Sequence, residues 1–126
     1  MSHISRVKTE LKDLAFIMKA LDDLGLKYEQ GEDLEVPEVI GPIELVIHLP
    51  RSRHPIALVR NKDNSFSFEG EQSVMRMAAD QELLQKINQR YAYHVIKDKL
   101  FQQGFHLETE SQGAQDSIHL TLRRNA

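Results

Sequence analysis

Cysteine and tryptophan are both missing from this 126-residue chain. Without cysteine there is no disulfide framework, no thiolate zinc site, no iron–sulfur ligation from the chain itself and no thiol nucleophile. Any redox chemistry would have to come from a partner. Long apolar runs are missing too. No stretch approaches the roughly 18 consecutive apolar residues of a membrane span, and the first residues, Met1 to Val7, hold no apolar run of signal-peptide length. The expectation is a cytoplasmic protein, or a stromal one if plastid-encoded, with no membrane partner. Neither charge sign dominates strongly: sixteen Lys and Arg against nineteen Asp and Glu leave a formal charge of −3. A weakly negative molecule repels a phosphate backbone, so nucleic acid is not an expected partner. The Gly-rich phosphate loop, the His-Glu-x-x-His metal motif and the serine of a nucleophile elbow are likewise absent, and no catalytic residue, cofactor site or metal site is expected.

What is present is 40% hydrophobic content, enough for one core without staples, and a single domain over residues 1–126 is expected. Ile4 to Leu11 reads as an extended segment. Asp13 suits a helix N-cap, because its carboxylate can accept from the free N–H groups of the first turn. Leu14, Ile17, Met18, Leu21 and Leu24 then recur at helical spacing, and Gly25 supplies the left-handed residue that closes such helices. Leu26 and Tyr28 open a strand. Residues 30–42 carry Gly31, Pro37, Gly41 and Pro42 with the acidic Glu32, Asp33, Glu35 and Glu38, and read as an irregular, mobile connection. Ile43 to Leu49 alternates as a strand. Ile56 to Arg60 and Phe66 to Glu69 flank a loop of hairpin composition at Asn61–Ser65. Residues 70–79 admit either a helical lead-in or irregular chain. From Asp80 to Gln103 there is neither Gly nor Pro, and Leu84, Ile87, Tyr91 and Val95, continued by Ile96 and Leu100, mark a long second helix closed by Gly104. Phe105, Leu107 and Thr109 alternate, residues 111–116 suit a turn, and Ile118, Leu120 and Leu122 form a closing strand.

One unit occurs twice. Ile17, Leu21, Gly25, Leu26 and Tyr28, then Ile43, Leu45 and Ile47, are matched by Ile96, Leu100, Gly104, Phe105 and Leu107, then Ile118, Leu120 and Leu122. Halves of about 3–60 and 64–124 would each be a strand–helix–strand–strand unit. The expected fold is α+β: one twisted, mainly antiparallel sheet with two helices on one face and a comparatively polar opposite face. A strand at the edge of that sheet could pair with a second copy, so a homo-oligomer is possible on this reading.

Three groups of side chains are candidates for function. Arg51, Arg53, His54 and Arg60, with Lys62, place five cationic or titratable residues within twelve positions and suit a small anion or a nucleotide, against the plainer alternative of solvated loop charge. His48, His106 and His119 could converge on the polar sheet face near Glu44 and Glu108 for metal binding or proton transfer, although no compact ligand spacing is present. Arg90 and His94 lie four apart on the long helix and face outward together as a partner-contact pair, with Tyr91 and Tyr93 beside them assigned to packing.

Met1-Ser2-His3-Ile4-Ser5-Arg6-Val7-Lys8-Thr9, Leu21-Asp22-Asp23-Leu24-Gly25, Ile87-Asn88-Gln89-Arg90-Tyr91-Ala92-Tyr93-His94, Gln103-Gly104-Phe105 and Ser117-Ile118-His119-Leu120 together resemble the uncharacterised family named after the thirty-fifth hypothetical chloroplast reading frame. The likeness spans Met1 to Arg124, and Gln89-Arg90-Tyr91-Ala92-Tyr93 is its most specific part. It implies a small protein of cyanobacterial, plastid or bacterial origin with no assigned activity. It also implies a role in a protein complex, because relatives are often encoded beside an AAA-class ATPase and a ferredoxin-like protein. The chain departs from the family in lacking the tryptophan common between the central strands and the long helix, where it has Phe66, Phe68, Val74 and Met75. It ends in Arg123-Arg124-Asn125-Ala126 where many relatives end in Arg-Trp. The expected function is a non-catalytic adaptor or regulatory subunit that binds a protein such as that ATPase or the ferredoxin-like protein. The alternative is an anion- or nucleotide-binding module built on the basic loop.

Overall fold

The computed structural model of the chain describes residues 3–112 and 118–124. Five segments of alternating or continuous apolar character form one antiparallel sheet: β1 (Ile4–Lys8), β2 (Lys27–Gln30), β3 (Ile43–His48), β4 (Ile56–Arg60) and β5 (Phe66–Glu71), in the spatial order β1-β5-β4-β3-β2. The register places Ile47 opposite Ile56, Leu45 opposite Leu58 and Leu58 opposite Phe68, so one face is a continuous apolar surface. Three helices cover it: α1 (Leu14–Asp23), α2 (Gln72–Asp80) and α3 (Leu83–Gln102). Ile17, Ala20 and Leu21 of α1, Val74, Met75 and Ala78 of α2, and Leu83 and Ile87 of α3 are buried against Leu45, Ile47, Ile56, Leu58, Phe66 and Phe68.

The expected helix boundaries follow from local chemistry. The Asp13 carboxylate accepts from the Ala15 N–H at 3.0 Å, and Gly25 adopts φ +69° where the chain leaves α1. Gly104, at φ +92°, does the same after α3. The hairpin loop at 61–65 is closed by Asn61 N–H donating to the Ser65 carbonyl at 2.8 Å. Residues 70–79, open on sequence grounds, divide between the end of β5 and α2. The long helix expected over Asp80–Gln103 is present as α3, its start moved to Leu83. α2 ends at Asp80, and Glu82 takes φ +53° before α3 begins, so that α2 packs on β5 and β1 while α3 packs on α1.

The mainly antiparallel α+β fold is present, with corrections in its detail: three helices stand where two were expected. The second sheet face is polar only in part: Arg6, Ser67 and Glu69 share it on β1 and β5, but its β3–β4 portion is apolar and covered. Val36, inside the acidic connection, is buried with Val46, Ala57 and Val59, and Leu34, Val39 and Ile43 pack around it. Apolar residues two to four apart within a charged loop have folded residues 34–42 onto the sheet. The last hairpin, β6 (Phe105–Gln112) and β7 (Ile118–Arg124), forms a second, two-stranded antiparallel sheet instead of extending the first. The helix–glycine–strand joint recurs, but β2 and β3 lie in the five-stranded sheet and β6 and β7 apart from it, so the single continuous sheet expected of two repeated halves is not formed. Of the turn expected at 111–116, residues 111 and 112 belong to β6 and the others lie outside the described residues.

Candidate functional site

The basic loop does not come together. Arg51 and Arg53 are exposed in the turn between β3 and β4, and His54 Nδ1 lies 2.9 Å from the Glu71 carboxylate. Arg60 is at the far end of β4, about 13 Å along the strand from Ile56 at a rise of roughly 3.3 Å per residue. There its Nε donates to Glu44 at 2.9 Å and its guanidinium covers the Phe66 ring at 4.6 Å. Lys62 is in the β4–β5 loop. Two of the four proposed anion contacts are therefore already matched to carboxylates, on different elements.

The histidines are also apart. His48 lies on β3 with its Nε2 2.7 Å from Glu29, whereas His106 and His119 belong to the separate hairpin, opposite Arg123 and Ser111 respectively. Among the described residues no group of three or more His, Asp or Glu is placed to hold a metal ion.

Arg90 and His94 do meet, on a partner that sequence spacing could not supply. Asp23, at the end of α1, accepts from Arg90 Nε at 2.8 Å, and its same oxygen lies 2.6 Å from His94 Nε2. Arg90 Nη1 donates to Glu110 of β6 at 3.0 Å, and the guanidinium lies over the Tyr93 ring at 4.2 Å. One side chain thus ties α1, α3 and β6 together. The expectation that the pair faces outward is corrected in this respect: both side chains are mostly covered, His94 at 14% exposure. Partial burial alone would raise the Asp23 carboxyl, but the hydrogen bonds from His94 and Arg90 outweigh it and hold the group below the usual carboxylate range. Glu110 is lowered in the same way, burial being outweighed by bonds from Tyr93 and Arg90. Burial first, and then the bond to Glu110, push the Tyr93 phenol up. Tyr91, assigned to packing, is partly buried, and its hydroxyl accepts from the N–H groups of Lys12 and Asp13 at 3.3 and 3.0 Å.

Beside this network lies the feature that sequence reasoning missed. α3 has 20 residues and α1 only 10, about 30 Å against 15 Å at 1.5 Å per residue, so α1 cannot cover the whole of α3. The face of α3 that carries Ile87 continues through His94 to Phe101, seven residues at a time. Ile87 is buried under α1, but Phe101 is 66% exposed. A groove of about 610 Å³ opens there between the helices and β6. Its apolar lining is Phe16 of α1, Leu100 and Phe101 of α3, and Phe105 of β6. Its polar lining is Lys19, His94, Lys97, Asp98 and His106. Ile96, expected on the buried stripe, is instead 48% exposed on α3. The missed signal was the heptad spacing of Ile87, His94 and Phe101, which places a phenylalanine on the core face after the core has ended.

A family described as "Protein of unknown function (DUF1257)" matches residues 20–121. Among curated proteins, the chain is 26% identical over 135 residues to "Uncharacterized protein ycf35" of Cyanophora paradoxa and 28% identical over 134 residues to the protein of the same description from Guillardia theta. A third, from Pyropia yezoensis, is 26% identical over 137 residues, and each match covers 98% of both chains. No solved structure matches the chain. No helix among the described residues is long and apolar enough to cross a membrane.

Proposed function

Since the chain belongs to the DUF1257 family of proteins of unknown function, we propose that it acts as a non-catalytic adaptor or regulatory subunit, docking a protein partner in the groove between α1, α3 and β6. The observation that carries this reading is Phe101, a large aromatic left two-thirds exposed on the rim of a groove with three further apolar side chains. Contiguous exposed apolar surface rimmed by polar groups is a mark of interaction sites and binding grooves. An anchor of this kind supplies binding through burial when the partner seats. The resemblance read from the sequence implies an AAA-class ATPase or a ferredoxin-like protein as the partner. The anion-binding alternative gains no support from the placement of Arg51, Arg53, His54 and Arg60.

The experiment is affinity capture from native cells with the wild-type chain and with Phe101→Asp, after calorimetry has matched their unfolding temperatures. A protein retained by the wild type and lost from the variant supports the docking role. Identical recovery by both chains contradicts it.

A further inference from the structure

We infer that the groove takes an acidic peptide segment of the partner, one whose carboxylates flank an inserted aromatic or aliphatic side chain. This rests on the docking role proposed above and specifies its chemistry. The molecule as a whole is negative, with a formal charge of −3 when histidine is counted neutral, yet the groove is the reverse: Lys19 and Lys97 line it against one carboxylate, Asp98, while His94, also in the lining, is already matched to Asp23 at 2.6 Å. Asp98 is itself engaged, accepting from Gln102 Nε2 at 2.9 Å. The lysines lie over rings, Lys19 5.4 Å from the centroid of Phe16 and Lys97 5.6 Å from that of Tyr93. Their positive charge is therefore held at the groove walls, where it complements acidic residues on either side of an apolar anchor.

The same stacking argues against a nucleic acid. Lys19 covers one face of Phe16, and Arg124 covers Phe105 at 4.9 Å. Two of the three phenylalanines thus already have one face occupied by a cation, which a stacking base would have to displace or avoid. Two lysines in a net-negative molecule are also few for tracking a phosphate backbone. A side chain entering beside Phe101 and Leu100 needs only an apolar wall, which is present.

The test is selection of a randomised ten-residue peptide library on the full chain, with Phe101→Ala as counter-selection and a ten-residue oligothymidylate as a competitor. Enriched peptides are expected to carry an excess of Asp and Glu around one aromatic or aliphatic residue. They should bind about tenfold more weakly to Phe101→Ala. They should also bind roughly threefold or more weakly to Lys97→Glu, and weaken between about 50 and 500 mM salt. Enriched peptides of neutral or basic composition that still depend on Phe101 overturn this inference and leave the docking role standing. No enrichment over Phe101→Ala overturns both. Displacement of the peptides by the oligonucleotide at equal concentration replaces the acidic segment with a nucleic acid and also overturns the inference.

Discussion

Arg90 is the residue with most at stake in how the helices and the hairpin meet. Its bonds reach Asp23 on α1 and Glu110 on β6 while its guanidinium lies on Tyr93. Arg90→Met keeps much of the stem volume and removes both ion pairs. Because the pairs are partly exposed, the expected loss is about 1–2 kcal/mol of unfolding free energy. A urea midpoint equal to that of the wild type would refute this role. Asp23 makes a pH prediction with a definite sign. Its folded carboxyl is lowered relative to an unfolded value of about 4. The stabilisation is therefore present above that pH and is lost as pH falls through the folded value. Asp23→Asn should thus be less stable than the wild type at pH 7, and the two should converge on acidification below about pH 4 in the presence of the same neighbours, Arg90, His94 and Glu110. Parallel stability curves over that range would contradict the assignment. This network was half legible. The i, i+4 spacing of Arg90 and His94 is visible in the sequence, but Asp23 lies 67 positions before Arg90, and only the packing of α1 on α3 brings it there.

Elements whose ends are set by local chemistry were readable: Asp13 and Gly25 bound α1, and the composition of 61–65 gives the β4–β5 loop. Elements set by distant contacts were not. Gln81 and Glu82 are both good helix formers, so nothing local forecasts a break between α2 and α3. The break comes because α2 packs on β5 and β1 while α3 packs on α1. It leaves Glu82 in a left-handed conformation, costing roughly 1–2 kcal/mol for a residue with a Cβ. Glu82→Gly is expected to leave stability unchanged or raise it by up to about 1 kcal/mol, and Glu82→Val to lower it by at least about 1 kcal/mol. Calorimetry on the two variants measures the difference, and equal melting temperatures would show that the break is not at this residue. Val36 teaches the same point. Loop composition and four nearby carboxylates concealed an apolar set whose purpose appears only when β3 and β4 present Val46, Ala57 and Val59 to it. The hairpin β6–β7 was readable as a hairpin, but alternation within a strand says nothing about which neighbour it joins, and here the strands pair with each other.

At the scale of the whole molecule, one sheet is covered on one face by three helices and, over β3 and β4, on the other by residues 34–42. Its flanking strands are poorly suited to pairing with a second copy. β1 carries Arg6 and Lys8, and β2 is four residues long with Lys27 and Glu29. Among the described residues, an apolar surface left open is the groove where α3 outreaches α1 beside the second sheet. Partner contact at Phe101, and not at the basic turn, is tested most directly by site-specific photocrosslinking in native cells. A benzophenone amino acid is placed at position 101 in one chain and at position 53, in the exposed β3–β4 turn, in another. A discrete covalent adduct that excess unlabelled wild-type chain suppresses is expected from position 101, and none from position 53. An adduct from position 53 with none from position 101 would contradict contact at Phe101.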